Sequence, residues 1–271
     1  MRLRGESEMT EKLNKTRFSA KNNNDKVEEG DESNIGSLRS AGIKIEIHTK
    51  HASRVWKGRK KSEEKESIIG IPRFAEIMRS MEGAIREDDP YADYWFHEVE
   101  KKIADVKSHI EETKREVDEF ISEKVPPGMS VSDNMSQEPL IIDLRIRSKL
   151  AFQLVYCLMD FDKLASKILL GNHIAIIDNG TKEKLTSHAE RLMRGAMSLA
   201  YKWRYSGVTR DDMVANNAKA RKVIETMGEC PDEYLTGELR SSLAPELPNN
   251  RKKTLKPKVN EVPETTKKEV A

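Results

Sequence analysis

Two alternating stretches, one heptad seam and several amphipathic runs predict a mainly α-helical protein with a small antiparallel β-ribbon. In residues 43–49, Ile43, Ile45 and Ile47 alternate with Lys44, Glu46 and His48, the period of a strand with one wet face. In "EPLIIDLRIRSKL", Ile142, Leu144 and Ile146 are expected inward, and Asp143, Arg145 and Arg147 outward. Between them, Phe96, Val99, Ile103, Val106, Ile110, Thr113, Val117 and Phe120 step by three and four alternately, a seam held for more than three heptads.

The remaining elements follow from start and stop signals. Pro72 suits a first helical turn, and Ile71, Phe74, Ile77, Met78, Met81 and Ile85 recur at helical spacing behind it. Asp89 and Pro90 open the heptad helix as N-cap and first residue. Helices are expected at about 150–170 and 182–203, joined by the turn "IIDNGT". Thr209 and Asp212 form an expected capping box for the last helix, and Gly228 its stop. A seam so narrow must be covered, either by the same helix of a second chain or by a helix of the second half.

Composition sets the boundaries. With 35% charged and 37% hydrophobic residues, the chain is polar for one globule, which points to disordered ends. The expected organisation is a disordered leader (1–40), a strand with helices (41–125), a linker (126–139), a second strand with helices (140–236), and a disordered tail (237–271). Neither Cys157 nor Cys230 has a Cys or His at metal-ligand spacing, and Cys157 lies in an apolar run that predicts a buried thiol. There is no glycine-rich phosphate loop, no G-x-S-x-G elbow and no H-x-x-x-H pair. His173, near a helix end, is expected to be structural. The reading is a non-enzyme without metal or cofactor, and, with no signal peptide or spanning run, a cytoplasmic one.

The chemistry that does stand out is basic. Net charge is only +2, so a nucleic-acid footprint must be a local patch. Such a patch follows the first strand, in Lys50, Arg54, Lys57, Arg59 and Lys60. A two-stranded ribbon fits the major groove, where Lys44 can donate to guanine, Glu46 can accept from cytosine and His48 can do either. The basic run would meet phosphates, with Arg145 and Arg147 beside it on the second strand.

The stretches "HTKHASRVWKGRK", "IIGIPRF", "DDPYADYW", "DFDKL" and "RYSGVTRDDMVANNAKAR" resemble the motifs of the AcaB-type family, found in conjugative plasmids and integrating conjugative elements. The likeness runs in order over about residues 43–232. It implies a transcriptional activator of conjugative-transfer genes with a ribbon-helix-helix-like DNA-binding region. It also implies a homodimer whose ribbon takes one strand from each subunit, and such a ribbon predicts a symmetric or near-symmetric operator of double-stranded DNA. Lys44, Glu46 and His48 become base readers, and the helix start at Gly70 and Ile71 a phosphate site. "RYSGVTRDD" is open to two roles, a carboxylate-held staple through Arg204 and Arg210 or a contact with RNA polymerase. The alternative from another class is a non-catalytic coiled-coil adaptor of the conjugation apparatus.

Overall fold

The computed structural model describes residues 42–64, 66–129 and 138–247. The chain divides between Ala41 and Gly42. The expected leader, residues 130–137 of the linker and residues 248–271 of the tail lie outside the described residues. In order, the elements are β1 (Ile43–Ile47), α1 (Lys50–Lys57), α2 (Ile71–Arg86), α3 (Pro90–Lys124), β2 (Leu140–Leu144), α4 (Lys149–His173) and α5 (Asn179–Lys202). Three shorter helices follow, α6 (Arg210–Val214), α7 (Ala218–Met227) and α8 (Asp232–Thr236). The fold is mainly helical with a two-stranded antiparallel sheet.

Local chemistry explains where these helices begin and end. Asp89 caps α3 by accepting from the amides of Tyr91 and Ala92 at 2.9 and 3.2 Å. Ser148 and Asp178 cap α4 and α5 in the same way. The Thr209–Asp212 capping box opens α6, and Gly228, at φ 82°, closes α7. The single last helix expected from Thr209 to Gly228 is divided into α6 and α7, and α8 is additional beyond it. Also additional is α1, which begins immediately after β1, capped by Thr49, with Ala52 and Val55 buried. Its lysines and arginines mask a short apolar stripe.

The two strands pair with each other. Ile45 faces Ile142, Lys44 faces Asp143 and Glu46 faces Ile141. This corrects the expectation of a ribbon shared between subunits, because one chain supplies both strands. An isolated hairpin-sized ribbon is marginal in water, and here Ile45 and Ile47 anchor it to the core. Ile43, expected inward, is 47% exposed at the ribbon's end. Arg145 and Arg147 lie just past the end of β2 and are exposed.

The heptad seam is covered within the chain. Every seam residue from Phe96 to Val117 is buried on the 35-residue α3, which packs chiefly against α4 and α5. Only Phe120, 43% exposed, lies outside that burial. The seam therefore offers no coiled-coil surface to a second chain or an adaptor partner, since each buried aliphatic there already gains about 1.5–3 kcal/mol from its own bundle. One core of buried side chains runs from Ile45 through α3 to Ala200, joining the two expected halves. Cys157 is buried in it, and desolvation pushes its thiol up to about 11.

A smaller cluster of Tyr91, Val208, Cys230 and Tyr234 fastens α6 to α8 onto the start of α3. Its centre is Arg210, 1% exposed, which donates to Asp88 at 2.8 Å, Asp93 at 2.5 Å and the Tyr234 carbonyl at 3.0 Å. Arg240 doubles the grip on Asp93 with two 3.0 Å bonds. Residues up to Leu247, expected within the tail, thus include a strap along α3, with Leu243 and Ala244 on the core. "RYSGVTRDD" is a staple through Arg210, whereas Arg204 is exposed and donates to the carbonyls of Tyr201 and Trp203.

Ile110→Ala is expected to lower stability by about 2–5 kcal/mol in urea unfolding, with the oligomeric state in sedimentation unchanged. Arg210→Met should cost about 3–5 kcal/mol, because Asp88 and Asp93 would keep their buried charge without their main partner. Unfolding followed through the tyrosines of the small cluster checks it.

Candidate nucleic-acid interface

The basic patch is built on a rigid junction. Asp162 of α4, buried in the core, accepts from the His48 amide (2.8 Å), the Thr49 amide (2.8 Å) and the Thr49 hydroxyl (2.6 Å). These three bonds fix the turn from β1 into α1 against the bundle. They also take His48 out of the reading face: it lies past the strand, half-buried, with Nδ1 enclosed and without a hydrogen-bond partner in the structure.

From that turn α1 carries Lys50, Arg54 and Lys57 at helical spacing, all exposed, and no acidic residue in its first turn. The basic run is therefore a stripe along a helix, opposite the buried Ala52 and Val55. Gly58 ends the helix at φ 69°, where a Cβ would come within 2.4 Å of the Ile68 carbonyl oxygen. Gly70 is as constrained, since its Cβ would lie 2.3 Å from the Trp56 carbonyl oxygen. This close crossing returns the loop to α2, closed by paired amides of Arg59 and Ile68 at 2.8 Å. Arg59 also donates to the Glu66 carbonyl, while Lys60 stays exposed. The crossing buries Gly70 and Ile71, and Pro72 brings no amide hydrogen, so the helix start offered as a phosphate site is closed off.

Two clefts flank the end of α1. One, of about 280 Å³, is lined by Trp56, Arg79, Asp143, Arg145 and Arg147 among others. The other, of about 420 Å³, is lined by Arg54, Arg59, Glu190 and Arg194 among others. The structure thus brings Arg145 and Arg147 beside α1, and separates them from Arg54 and Arg59 by the helix itself. Arg79 and Arg194 were not legible as site residues, because a single arginine on an amphipathic helix looks like any solvated residue until packing gives it neighbours.

Glu190 is the carboxylate that organises the second cleft. It accepts from His51 Nδ1 at 2.8 Å and pairs with Arg194 at 2.7 Å. Burial pushes its carboxyl up, but the His51 hydrogen bond and the charges of Arg194, His51 and Arg54 carry it below the ordinary glutamate value of 4.5. The outward face of the ribbon is different in character: Lys44 and Asp143 form an exposed pair at 3.8 Å, with Glu46 and Ile141 beside them. Among the described residues no group of His, Cys, Asp and Glu is placed to hold a metal ion, and no helix is long and apolar enough to cross a membrane.

The family model described as "Transcriptional regulator AcaB" matches residues 34–248. The chain belongs to this family. AcaB-family membership makes it a member of a family of transcriptional regulators. In three dimensions it is similar to the crystal structure of selenomethionine-containing AcaB from uropathogenic E. coli, with a TM-score of 0.50 at 12% identity. The match covers 73% of this chain and 95% of that AcaB chain, and it shows a shared fold. No curated protein matches the chain.

A folded-state value below 4.5 makes ionised Glu190 a stabiliser above that pH, and the benefit is lost as pH falls through the lowered value. The stability gap between the protein and Glu190→Gln should accordingly be present at neutral pH and shrink in acid. Urea midpoints of both at pH 7 and about pH 3.5, below the reference glutamate value, check the sign.

Proposed function

We propose that the protein is a sequence-specific DNA-binding activator of conjugative-transfer genes, and that it lays the β1–β2 ribbon in the major groove. The observation that supports this most is the ribbon itself, one face packed on helices and the other open. A groove about 12 Å wide admits two strands about 4.8 Å apart. Lys44 and Glu46 would meet base edges. Lys50, Arg54 and Lys57 on α1, with Arg59, Lys60, Arg145 and Arg147 around it, would meet phosphates and hold the register. Membership of a transcriptional-regulator family supports DNA as the substrate of such a patch. This role places the protein in the cytoplasm, and any contact with RNA polymerase falls to a surface other than the buried Arg210.

The test is fluorescence anisotropy on labelled duplexes from the promoters of its own element and on scrambled controls, at two salt concentrations. Lys57→Ala is expected to weaken binding to both duplexes alike and to lower the salt slope by about one. Lys44→Ala should instead cost about 1–3 kcal/mol on the specific duplex and leave scrambled binding nearly unchanged. Equal weak binding to every duplex, vanishing with salt, would refute the reading.

A further inference from the structure

Four side chains make the outward face of the ribbon. Lys44 and Glu46 come from β1, and opposite them stand Asp143 and Ile141 from β2. All four are exposed. Ile141 is 59% exposed, on the face where a half-buried strand should carry polar side chains. In a ribbon made by two copies of one strand, a two-fold axis would give the two sides the same residues. Here the two sides differ in charge and polarity: lysine meets aspartate, and glutamate meets isoleucine.

We infer that the ribbon of one chain reads a non-palindromic DNA element, with Ile141 as the residue that recognises a thymine C5-methyl group. The inference rests on the DNA-binding reading above and adds to it the order of contacts. Thymine's methyl is the apolar feature on a major-groove edge, and an isoleucine, which has no side-chain hydrogen bond to give, matches it alone. Asp143, like Glu46, accepts from a cytosine amino group, and Lys44 donates to guanine. The Lys44–Asp143 pair does not obstruct this. Both side chains are 65% exposed and 3.8 Å apart, a surface pairing that opens readily when a base offers a better partner. The reading face carries one lysine against two carboxylates, so its attraction to DNA must come from its flanks. There Arg145 and Arg147 on the β2 side and Lys50 and Arg54 on the β1 side supply the complementary charge.

The experiment uses the full chain. Duplexes bound from a randomised pool give the preferred element, and native mass spectrometry gives the number of chains on its minimal form. Each thymine of that element is then replaced in turn by uracil, which removes the methyl and nothing else. One chain on a non-palindromic element is expected. Uracil at one thymine should weaken the unaltered protein about fourfold, the effect of one buried methyl-sized group, and should leave Ile141→Ser unaffected. A palindromic element holding two chains, or a uracil scan that is flat in both proteins, overturns the inference while leaving sequence-specific binding in place. A self-association lost in Ile141→Ser would overturn it too, by making Ile141 a contact between copies. Absence of any sequence preference would instead sink the regulator reading, and this inference with it.

Discussion

Asp162 is a carboxylate placed where carboxylates are costly, inside the helical core, and its position makes sense only through the three donors that surround it. Two are backbone amides that would otherwise be orphaned where the strand gives way to the helix. By accepting from both and from the Thr49 hydroxyl, it ties the end of β1 and the start of α1 to the middle of α4. The ribbon lies on one side of that knot and the basic stripe of α1 on the other. Loss of the carboxylate would leave buried amides without partners and free both elements to move relative to the bundle.

The bundle that carries Asp162 depends in turn on α3. Its seam spends its apolar surface on α4 and α5, so the long helix is a spine and not an arm. At its start, Asp88 adopts φ 67°, a left-handed turn that an aspartate tolerates, and both Asp88 and Asp93 are held by Arg210. Arg210 reaches them from the far end of the sequence, so the last helices close the chain over the first turn of α3. A charge network of this kind adds less to stability than hydrophobic packing of equal volume would. Its consequence is geometric, because Arg210 bonds Asp88, Asp93 and the Tyr234 carbonyl at once and so joins α6 to α8 and to the start of α3.

Set against this architecture, the ribbon is lightly built. Two strands of five residues hold by their inward isoleucines and leucines, and their outward side chains have no structural task. That freedom allows β1 and β2 to carry different residues without cost to the fold. The basic residues nearby are similarly free of core duties, apart from Arg59, which braces the loop after α1.

Periodicity and capping chemistry are local, and the sequence by itself determined what depends on them: both strands, the long helices, the caps at Asp89 and Thr209, the stop at Gly228, and the exposed basic run. The family motifs were legible for the same reason, as ordered phrases in the chain. The helix α1 escaped notice because its eight residues bury only Ala52 and Val55, too short a stripe to stand out among lysines and arginines. What partners each face meets was a tertiary decision. A heptad seam says that a face must be buried and is silent about the surface that buries it. An alternating strand needs a neighbour and does not say from which chain. Here β2, almost a hundred residues away in sequence, fills that place, because the bundle holds the start of α1 against the middle of α4 at Asp162, and β1 and β2, which lead into these two packed helices, pair antiparallel.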